Sequence, residues 1–310
     1  MPPLSGRFHL QGHRGARGMK RENTLPSFEA ALDAGVSSVE TDLHITADGV
    51  VVLCHEPILD PALFTAPPGD EASAGLHRPL AKIALDELRR WRADRNPDPA
   101  RFPDQNAVAP PLACWFAEQH GFDPFAVPTL AELFLFTAAY AGQPGADVGK
   151  SPQHRSRAAR IGLDLELKGV PFEPAALALL ERRTVEAVQA AGVAARTTVR
   201  SFDHRCVRRL RALESRLTGA VLIAHTAPAA PAELVRAAQA QIYCPSFDFL
   251  DKDLLRQCHA AGVRVLPWTV NEPDHWRRLI DWGVDGLTTD YPDRLARQLT
   301  AWGVAVEGNE

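Results

Sequence analysis

Apolar runs of strand length alternate with helical patterns along most of the chain, and this alternation predicts the fold. Strands are predicted at 7–12, 36–43, 161–168, 197–202, 219–225, 241–245, 263–270 and 285–290. Helical stretches separate these runs, and a closing helix is predicted near 291–302. Alternating strands and helices favour a parallel sheet, and eight such units favour its closure into a (β/α)8 barrel, the TIM-barrel architecture.

Local signals mark two helices and one hairpin. Asn23 or Thr24 is a suitable N-cap for the helix after strand one, and Gly35 is its C-terminal stop. The segment at 129–140 begins with Thr-x-x-Glu, a capping-box pattern. An Asp-Gly turn after strand two is followed by β-branched residues. The turn is therefore predicted to return His55 toward the end of the second strand.

Two segments lack a regular pattern. Residues 57–128 are rich in proline and polar residues, with one helical stretch predicted around 80–91. We interpret 57–128 as an insertion after the second strand of a single domain spanning 1–310. Such segments are usually lids, specificity elements or partner surfaces, and a pure packing role is the alternative. Residues 142–160 contain few apolar positions and are predicted to form a mobile loop.

Composition restricts the class of protein. The 310 residues are 45% hydrophobic and 23% charged, which is ordinary for a globular enzyme. A net charge of −4 argues against a nucleic-acid partner but permits a small anionic substrate. No apolar stretch is long enough to predict a transmembrane segment. The five scattered cysteines have no disulfide-framework or zinc-ligand spacing, which favours a cytoplasmic location, and the oligomeric state stays open.

Charged residues alternate with apolar residues in two predicted strands. Glu40 and Asp42 share one face of strand two, and Glu166 and Lys168 alternate with leucines in strand three. Buried charges are costly unless they are paired or bind a metal. Glu40, Asp42 and Glu166 would converge as oxygen ligands for a divalent cation, Mg²⁺ or Ca²⁺. The alternative is an internal salt-bridge network in which Lys168 and Arg14 neutralise the same carboxylates.

Two histidines flank these carboxylates in the predicted barrel. His13 follows strand one, and His55 follows the hairpin. Imidazole titrates near neutral pH, so one histidine can accept a proton from a nucleophile while the other donates one to a leaving oxygen. Arg14, Lys168 and a bound cation would neutralise the anionic oxygens of a phosphodiester. This combination predicts a metal-assisted phosphodiesterase.

Several motifs follow one another in a fixed order along the chain. They are HRG (13–15), ENT (22–24), ETDLHITADGVVVLCH (40–55), LELK (165–168) and WTVN (268–271). Together they resemble the glycerophosphodiester phosphodiesterase family, and the resemblance extends from strand one to strand eight. It implies a TIM barrel like that of phosphatidylinositol phospholipases. It also implies hydrolysis of substrates such as glycerophosphocholine or glycerophosphoethanolamine to sn-glycerol 3-phosphate and an alcohol.

The resemblance implies roles for residues at the matching positions. The implied acid/base pair is His13 and His55, and the implied ligands of Mg²⁺ or Ca²⁺ are Glu40, Asp42 and Glu166. The implied substrate contacts comprise phosphate contacts from Arg14 and Lys168, packing of Trp268 on the glycerol moiety, and Asn271 nearby. The implied supports of the HRG loop are Glu22 and Asn23.

The mechanism that the resemblance suggests uses the substrate's own glycerol hydroxyl. One histidine would deprotonate this hydroxyl, and the other would protonate the departing alcohol. The metal would polarise the phosphoryl oxygens. Water would then open the cyclic phosphate with the roles of the histidines reversed.

Three departures from the family pattern bear on the leaving group more than on the reaction. Glu56 stands where the family usually has Asp, the segment after it lacks the usual Arg-Thr-Thr-like pattern, and 57–128 is long. One alternative is lysophospholipase D-type hydrolysis, with an apolar groove supplied by the aromatic residues Trp115, Phe116, Phe122 and Phe125. A non-catalytic binding barrel is less consistent with the intact site, and a glycosidase would leave both histidines unexplained.

Overall fold

The computed structural model describes residues 6–67, 77–169 and 173–308. Its strands are β1 (His9–Gly12), β2 (Ser38–Ile45), β3 (Val51–Leu53), β4 (Gly162–Leu167), β5 (Thr197–Ser201), β6 (Thr218–Ile223), β7 (Ile242–Pro245), β8 (Arg264–Val265) and β9 (Gly286–Thr289). Its helices are α1 (Leu25–Ala34), α2 (Leu85–Leu88), α3 (Pro111–His120), α4 (Leu130–Ala141), α5 (Gln143–Asp147), α6 (Pro152–Ala158), α7 (Pro174–Ala190), α8 (His204–Leu213), α9 (Pro231–Ala237), α10 (Lys252–Ala260), α11 (Pro273–Trp282) and α12 (Pro292–Ala301). None of the helices in these ranges combines the length and the hydropathy needed to cross a bilayer.

Eight of the described strands form a parallel sheet in the order β8-β7-β6-β5-β4-β2-β1-β9. Backbone hydrogen bonds join the two ends of this order. The amide of Asp285 donates to the carbonyl oxygen of Val265 (3.1 Å), and the amide of Thr288 donates to that of Pro267 (3.0 Å). From β4 onward, a helix follows each strand. The predicted (β/α)8 barrel is therefore confirmed, and each of the eight predicted runs overlaps a strand.

The charged pattern lies on two neighbouring strands of the barrel. The register of β2 and β4 places Glu40 opposite Asp164 and Asp42 opposite Glu166. The leucines that alternate with these residues, such as Leu165, are buried in the main apolar core. Because neighbouring residues of a strand point to opposite faces, the carboxylates face the barrel interior near its C-terminal end.

A hairpin brings the second histidine to the same end of the barrel. Strand β3 pairs antiparallel with β2, with Leu43 opposite Leu53. Beyond this pair, the amide of Cys54 donates to the carbonyl oxygen of Asp42 (3.0 Å). His55 therefore lies beside the end of β2, as the turn signal predicted.

The segment between β3 and α4 is more regular than predicted. The predicted helix around 80–91 is wrong in extent, because Ile83 and Ala84 separate a 3-10 turn (Leu80–Lys82) from α2. The carbonyl oxygen of Ile83 accepts a hydrogen bond from the amide of Ala47 in the hairpin turn (2.9 Å). Helix α3 was not predicted at all. The amide of Ala113 in its first turn donates to the buried carboxylate of Glu29 in α1 (2.7 Å), a stabilising contact that no local pattern reveals.

The aromatic residues of this segment pack inward. Phe116 and Phe125 are buried, and the ring centroid of Phe116 lies 5.4 Å from that of Phe136 in α4. Phe122 and Trp115 lie against the ring of Phe116, at centroid distances of 6.3 and 6.4 Å. Trp115 and Phe122 are half-buried and pack against the core. The expectation that these four residues supply an apolar groove is therefore wrong, because two of them are core residues and the other two lean on the core.

The prediction of a loop over 142–160 is also wrong, because the segment forms α5 and α6. Its few apolar residues are offset by specific contacts. Lys150 forms ion pairs with Glu29 and Asp33 of α1, each at 2.7 Å. Ser151 then caps α6 by accepting a hydrogen bond from the amide of His154 (3.1 Å). The contacts with α1 are distant in sequence, so the local pattern could not predict them.

The predicted strand at 263–270 is regular only over Arg264–Val265. Pro267 has no N–H group, so it interrupts the hydrogen-bond ladder. The segment still touches both neighbouring strands. The amide of Trp268 donates to the carbonyl oxygen of Pro245 (3.0 Å), and that of Val270 donates to Thr288 (2.9 Å).

Candidate active site

One cavity at the C-terminal end of the barrel collects most of the predicted site residues. Its volume is about 200 Å³. The residues that line it are His13, Arg14, Glu40, His55, Glu166, Lys168, Arg200, Phe202, Leu222, Ala224, His225, Trp268 and Thr288. They come from β2, β4, β5, β6 and β9 and from the loops that follow β1, β3, β4, β5, β6 and β8. In (β/α)8 enzymes, the active site is built at this end of the strands.

Three carboxylates form an acidic triangle beside this cavity. Glu40, Asp42 and Glu166 each offer an oxygen within 4.8 Å of the other two, and all three are buried. Burial raises the pKa of Glu40 well above its ordinary value, and the neighbouring charges of Asp42 and Glu166 raise it further. Burial and Asp42 likewise raise the pKa of Glu166. Ionising all three carboxylates together therefore requires additional positive charge beside them.

Two cations flank the acidic triangle. Lys168 Nζ lies 3.1 Å from Asp42 Oδ1 and 2.6 Å from Glu166 Oε1. Arg14 Nε lies 3.3 Å from Asp42 Oδ2. Although burial opposes it, the charges of Arg14 and Lys168 lower the pKa of Asp42. Among the described residues, Glu40 has no lysine or arginine ion pair, and it accepts a hydrogen bond from the backbone amide of Arg14 (2.8 Å).

The loop after β1 is held by the ENT motif. Arg14 Nη1 donates to Glu22 Oε1 (2.7 Å), and Arg17 Nε lies 2.6 Å from Glu22 Oε2. Asn23 Nδ2 donates to Asp42 Oδ2 (2.9 Å), so Thr24 rather than Asn23 caps α1. A side chain at Gly15 would collide with Ser27, since a Cβ there would lie 2.5 Å from Ser27 Oγ. These contacts fix the positions of His13 and Arg14.

His13 is held by a buried carboxylate that the sequence pattern did not single out. His13 Nδ1 donates to Asp290 Oδ1 (2.6 Å), and Asn271 Nδ2 donates to Asp290 Oδ2 (2.7 Å). The backbone amide of Asp290 donates in turn to Asn271 Oδ1 (2.9 Å). Burial lowers the pKa of His13 to about 4, so the imidazole is neutral at pH 7. Burial alone would raise the pKa of Asp290, but His13 and Arg17 lower it, so its carboxylate is ionised.

His55 has a more exposed partner. His55 Nδ1 lies 2.6 Å from Glu56 Oε1, and the side chain of Glu56 is 42% exposed. The side chain of Asp290, by contrast, is fully buried. Burial lowers the pKa of His55, and the positive charge of Arg14 lowers it further. The two histidines therefore share one cavity but differ in how firmly they are held.

One wall of the cavity is apolar. Trp268 Nε1 donates to the carbonyl oxygen of Cys244 (2.8 Å), which fixes the indole. The exposed ring of Phe202 meets the Trp268 ring edge-on, with centroids 5.8 Å apart. Asn271 does not line the cavity, and it contacts the site through Asp290. Leu222 and Ala224 complete this wall opposite the charged residues.

Arg200 is a second residue that sequence reasoning missed. It is buried inside the barrel, where its guanidinium donates to Asp164 and to Gln11 Oε1. Gln11 Nε2 also donates to Asp164 Oδ2 (2.7 Å), and Thr288 Oγ1 donates to Gln11 Oε1 (2.7 Å). The sequence did contain a signal for both missed residues. Arg200 is a charged residue within the predicted strand 197–202, and Asp290 is the last residue of the predicted strand 285–290. Strand-end polar residues of that kind belong to the functional face of a barrel.

The sequence is related to several known proteins. A model of the glycerophosphoryl diester phosphodiesterase family matches residues 13–294. YqiK of Bacillus subtilis strain 168, an uncharacterized protein, is 23% identical over 289 residues, which cover 93% of this chain and 96% of that protein. A glycerophosphodiester phosphodiesterase of Caldanaerobacter subterraneus subsp. tengcongensis is 23% identical over 284 residues, covering 91% of this chain and 94% of that enzyme.

Two solved structures share the fold. A protein of Silicibacter pomeroyi DSS-3, provisionally named a glycerophosphoryl diester phosphodiesterase, has a TM-score of 0.79 and 30% identity, covering 99% of this chain and 96% of that one. A phosphodiesterase of Oleispira antarctica was solved in complex with the product sn-glycerol-3-phosphate. It has a TM-score of 0.69 and 21% identity, and the match covers 96% of this chain and 100% of that one. Since the family model spans most of the sequence, this chain is a hydrolase that belongs to the glycerophosphoryl diester phosphodiesterase family.

Proposed function

We propose that this enzyme hydrolyses glycerophosphodiesters, such as glycerophosphocholine or glycerophosphoethanolamine, to sn-glycerol 3-phosphate and an alcohol. The observation that carries the proposal is the cavity in which His13 and His55 meet Lys168 and two members of the acidic triangle. The Oleispira antarctica relative was solved with sn-glycerol-3-phosphate as its product, which supports the same product class here. We also propose that residues 1–310 form one domain and that the enzyme is cytoplasmic, since its five cysteines are free thiols.

The acidic triangle fits a divalent cation. In the described part of the chain, six buried carboxylates line the cavity or contact its lining: Glu22, Glu40, Asp42, Asp164, Glu166 and Asp290. The cations paired with them are Arg14, Arg17, Lys168 and Arg200. Two carboxylate charges are left over, which a divalent cation would neutralise. Oxygen ligands alone favour Mg²⁺ or Ca²⁺ over softer metals.

Glu40, Asp42 and Glu166 would hold this cation. When bound, it would neutralise the phosphoryl oxygens and make the phosphorus more electrophilic. The salt bridges of Lys168 and Arg14 to Asp42 and Glu166 are compatible with this assignment. In the part of the chain that the structure describes, no lysine or arginine forms an ion pair with Glu40, which remains available to the cation. Lys168 and Arg14 both line the cavity, so each can also contact the phosphate of the substrate.

Proton transfer would belong to His13 and His55. One imidazole would take the proton of the glycerol hydroxyl as its oxygen attacks phosphorus, and the protonated partner would give a proton to the alcohol oxygen as its bond to phosphorus breaks. The cyclic phosphate would be opened by water, with the two histidines exchanging roles. Trp268 and Phe202 would contact the carbon atoms of the glycerol, since they form the apolar wall.

The test is hydrolysis of glycerophosphocholine, with and without EDTA, by the wild type and by His13→Ala. General acid/base catalysis contributes roughly 10²- to 10⁴-fold, so we expect His13→Ala to lose activity by that factor. His154→Ala, on α6 away from the cavity, is the matched control and should retain it. Activity that survives both EDTA and His13→Ala would overturn the proposal. Failure of all phosphodiesters as substrates would favour the binding-barrel alternative.

A further inference from the structure

Part of the insertion lies across the loop after β1, which carries His13. We call residues 94–108 the bracing segment. The amide of Asn106 donates to the carbonyl oxygen of Met19 (3.1 Å), and a parallel bridge pairs Asn106 with Lys20. Lys20 Nζ donates to Asn106 Oδ1 and to the carbonyl oxygen of Val108, each at 2.7 Å. The two segments are therefore joined through backbone and side chains, although Lys20 and Asn106 are 86 residues apart in the sequence.

Gln105 is a buried polar residue of the bracing segment, with 7% of its surface exposed. Its Nε2 donates to the carbonyl oxygen of Arg17 (2.7 Å), and its Oε1 accepts a hydrogen bond from Arg21 Nη1. Arg21 Nε also donates to the carbonyl oxygen of Asp94 (2.8 Å). A buried amide without partners would be costly, and the loop after β1 supplies a partner for each end of this one.

Arg17 connects the bracing segment to the candidate phosphate contact. The central carbon of its guanidinium lies 4.6 Å from the ring centroid of Phe102, a buried residue of the bracing segment. Its Nε lies 2.6 Å from one oxygen of Glu22, whose other oxygen accepts a hydrogen bond from Arg14 Nη1 (2.7 Å). The position of Arg14 therefore depends on that of Arg17, which contacts the bracing segment through its guanidinium and through its backbone.

The next residue of the loop contacts the partner of His13. The amide of Gly18 donates to the carbonyl oxygen of Asp290 (2.8 Å), and the carboxylate of Asp290 holds His13. A side chain at Gly18 would collide with the ring of Tyr291. The hydroxyl of Tyr291 donates to the carbonyl oxygen of Arg101 in the bracing segment (3.1 Å). The bracing segment therefore contacts the supports of both candidate residues, the imidazole and the phosphate contact.

We propose that Gln105 is a positioning residue, whose hydrogen bond to the carbonyl oxygen of Arg17 holds the loop after β1 in the geometry that hydrolysis needs. This inference rests on the proposed function, because it assumes that His13 and Arg14 act on the phosphodiester. Gln105 and Arg17 do not line the cavity of the candidate active site, so the effect passes through the loop. A misplacement of about 1 Å can cost roughly 100-fold in rate, so loss of this hydrogen bond should lower kcat roughly 10- to 100-fold.

Gln105→Glu removes this hydrogen bond and keeps the other one. The new carboxylate still accepts from Arg21, but it has no N–H group to donate to the carbonyl oxygen of Arg17. If Gln105 only stabilised the fold through Arg21, the variant would behave like the wild type. We instead expect kcat for glycerophosphocholine to fall roughly 10- to 100-fold while KM changes less than about threefold. The melting temperature shows that the measured variant is folded.

Two further variants separate the hydrogen bond from the added charge and from the substitution itself. Gln105→Met removes the same hydrogen bond without adding a charge, and it should lower kcat at least as much. Gln241→Glu is the matched control. Gln241 Oε1 accepts from the amide of Gly219 (2.8 Å) and its Nε2 donates to the carbonyl oxygen of Gln239 (3.4 Å). Gln241 directly precedes β7, at the opposite end of the barrel from the cavity, so this variant should keep the kcat of the wild type.

The outcomes separate the inference from the proposed function. If the wild type does not hydrolyse glycerophosphocholine with Mg²⁺ or Ca²⁺ present, both fail. If the wild type is active and folded Gln105→Glu keeps kcat within twofold, the inference fails and the proposed function stands, even where Gln105→Met loses activity. An equal loss in Gln241→Glu would also overturn the inference. A loss of tenfold or more in kcat in both Gln105 variants, but not in Gln241→Glu, supports it.

Discussion

Replacement of Asp290 by asparagine tests how His13 is held. The carboxylate of Asp290 accepts a hydrogen bond on each oxygen, from His13 Nδ1 at 2.6 Å and from Asn271 Nδ2 at 2.7 Å. An amide of the same shape accepts on its oxygen only, so its NH2 group must face one of these two donors. If it faces His13, the imidazole must move its proton to Nε2. Nε2 could then no longer act as a base.

The magnitude follows from the bond that is lost. A hydrogen bond to a charged group contributes about 1.5–3 kcal/mol, which corresponds to roughly 10- to 150-fold in rate. Because Asp290 is fully buried behind His13 and does not line the cavity, we expect the loss in kcat and little change in KM. Asp290 is thus a positioning residue, and Asp290→Asn should affect the chemical step more than substrate binding.

The assay is steady-state hydrolysis of glycerophosphocholine at a fixed, saturating concentration of Mg²⁺ or Ca²⁺. Asp293→Asn is the matched control, since Asp293 lies on α12 and pairs with Arg297 at the surface. The melting temperature of each variant shows whether the measured protein is folded. A folded Asp290→Asn enzyme with kcat within twofold of the wild type would refute the reasoning.

Two further changes test the cation site and the buried ion pair. Glu166→Gln should weaken the binding of Mg²⁺ or Ca²⁺, measured by calorimetric titration. Loss of a residue that only supports a metal ligand costs roughly 10- to 100-fold in metal affinity, so loss of a ligand should cost at least as much. An unchanged affinity would exclude Glu166 as a ligand. Arg200→Met leaves Asp164 buried without its cation, which should lower the free energy of unfolding in urea by about 3–5 kcal/mol. The exposed pair of Arg236 and Glu233 is the control, because Arg236→Met should cost less than about 1 kcal/mol. Equal losses in the two variants would contradict the prediction.

The barrel and half of the candidate site could be predicted from local patterns. Period-two alternation in β2 and β4 placed Glu40, Asp42, Glu166 and Lys168 on inward faces, and the register of the two strands places them together. Parallel strands end on one face of a barrel, so strand-end residues converge wherever they lie in the sequence. That is why the sequence alone assigns His13 and His55 to one mouth of the barrel.

Contacts between distant segments could not be predicted in this way. The first turn of α3 donates a backbone hydrogen bond to the carboxylate of Glu29. Lys150, just before α6, forms ion pairs with α1. Asp290 meets His13 across 277 residues of sequence. Each of these contacts joins groups that are far apart in the sequence, so the periodicity of neither segment indicates the contact. The contact forms only when the barrel closes.

The sequence by itself therefore determined the strand order, the inward faces and the residue types of the candidate site. Only the tertiary structure decided which carboxylate holds His13, where the aromatic residues of the insertion pack, and that part of the insertion lies across the loop after β1. Periodicity records which face of an element is buried, whereas the partner of a side chain is set by how the elements close around one another.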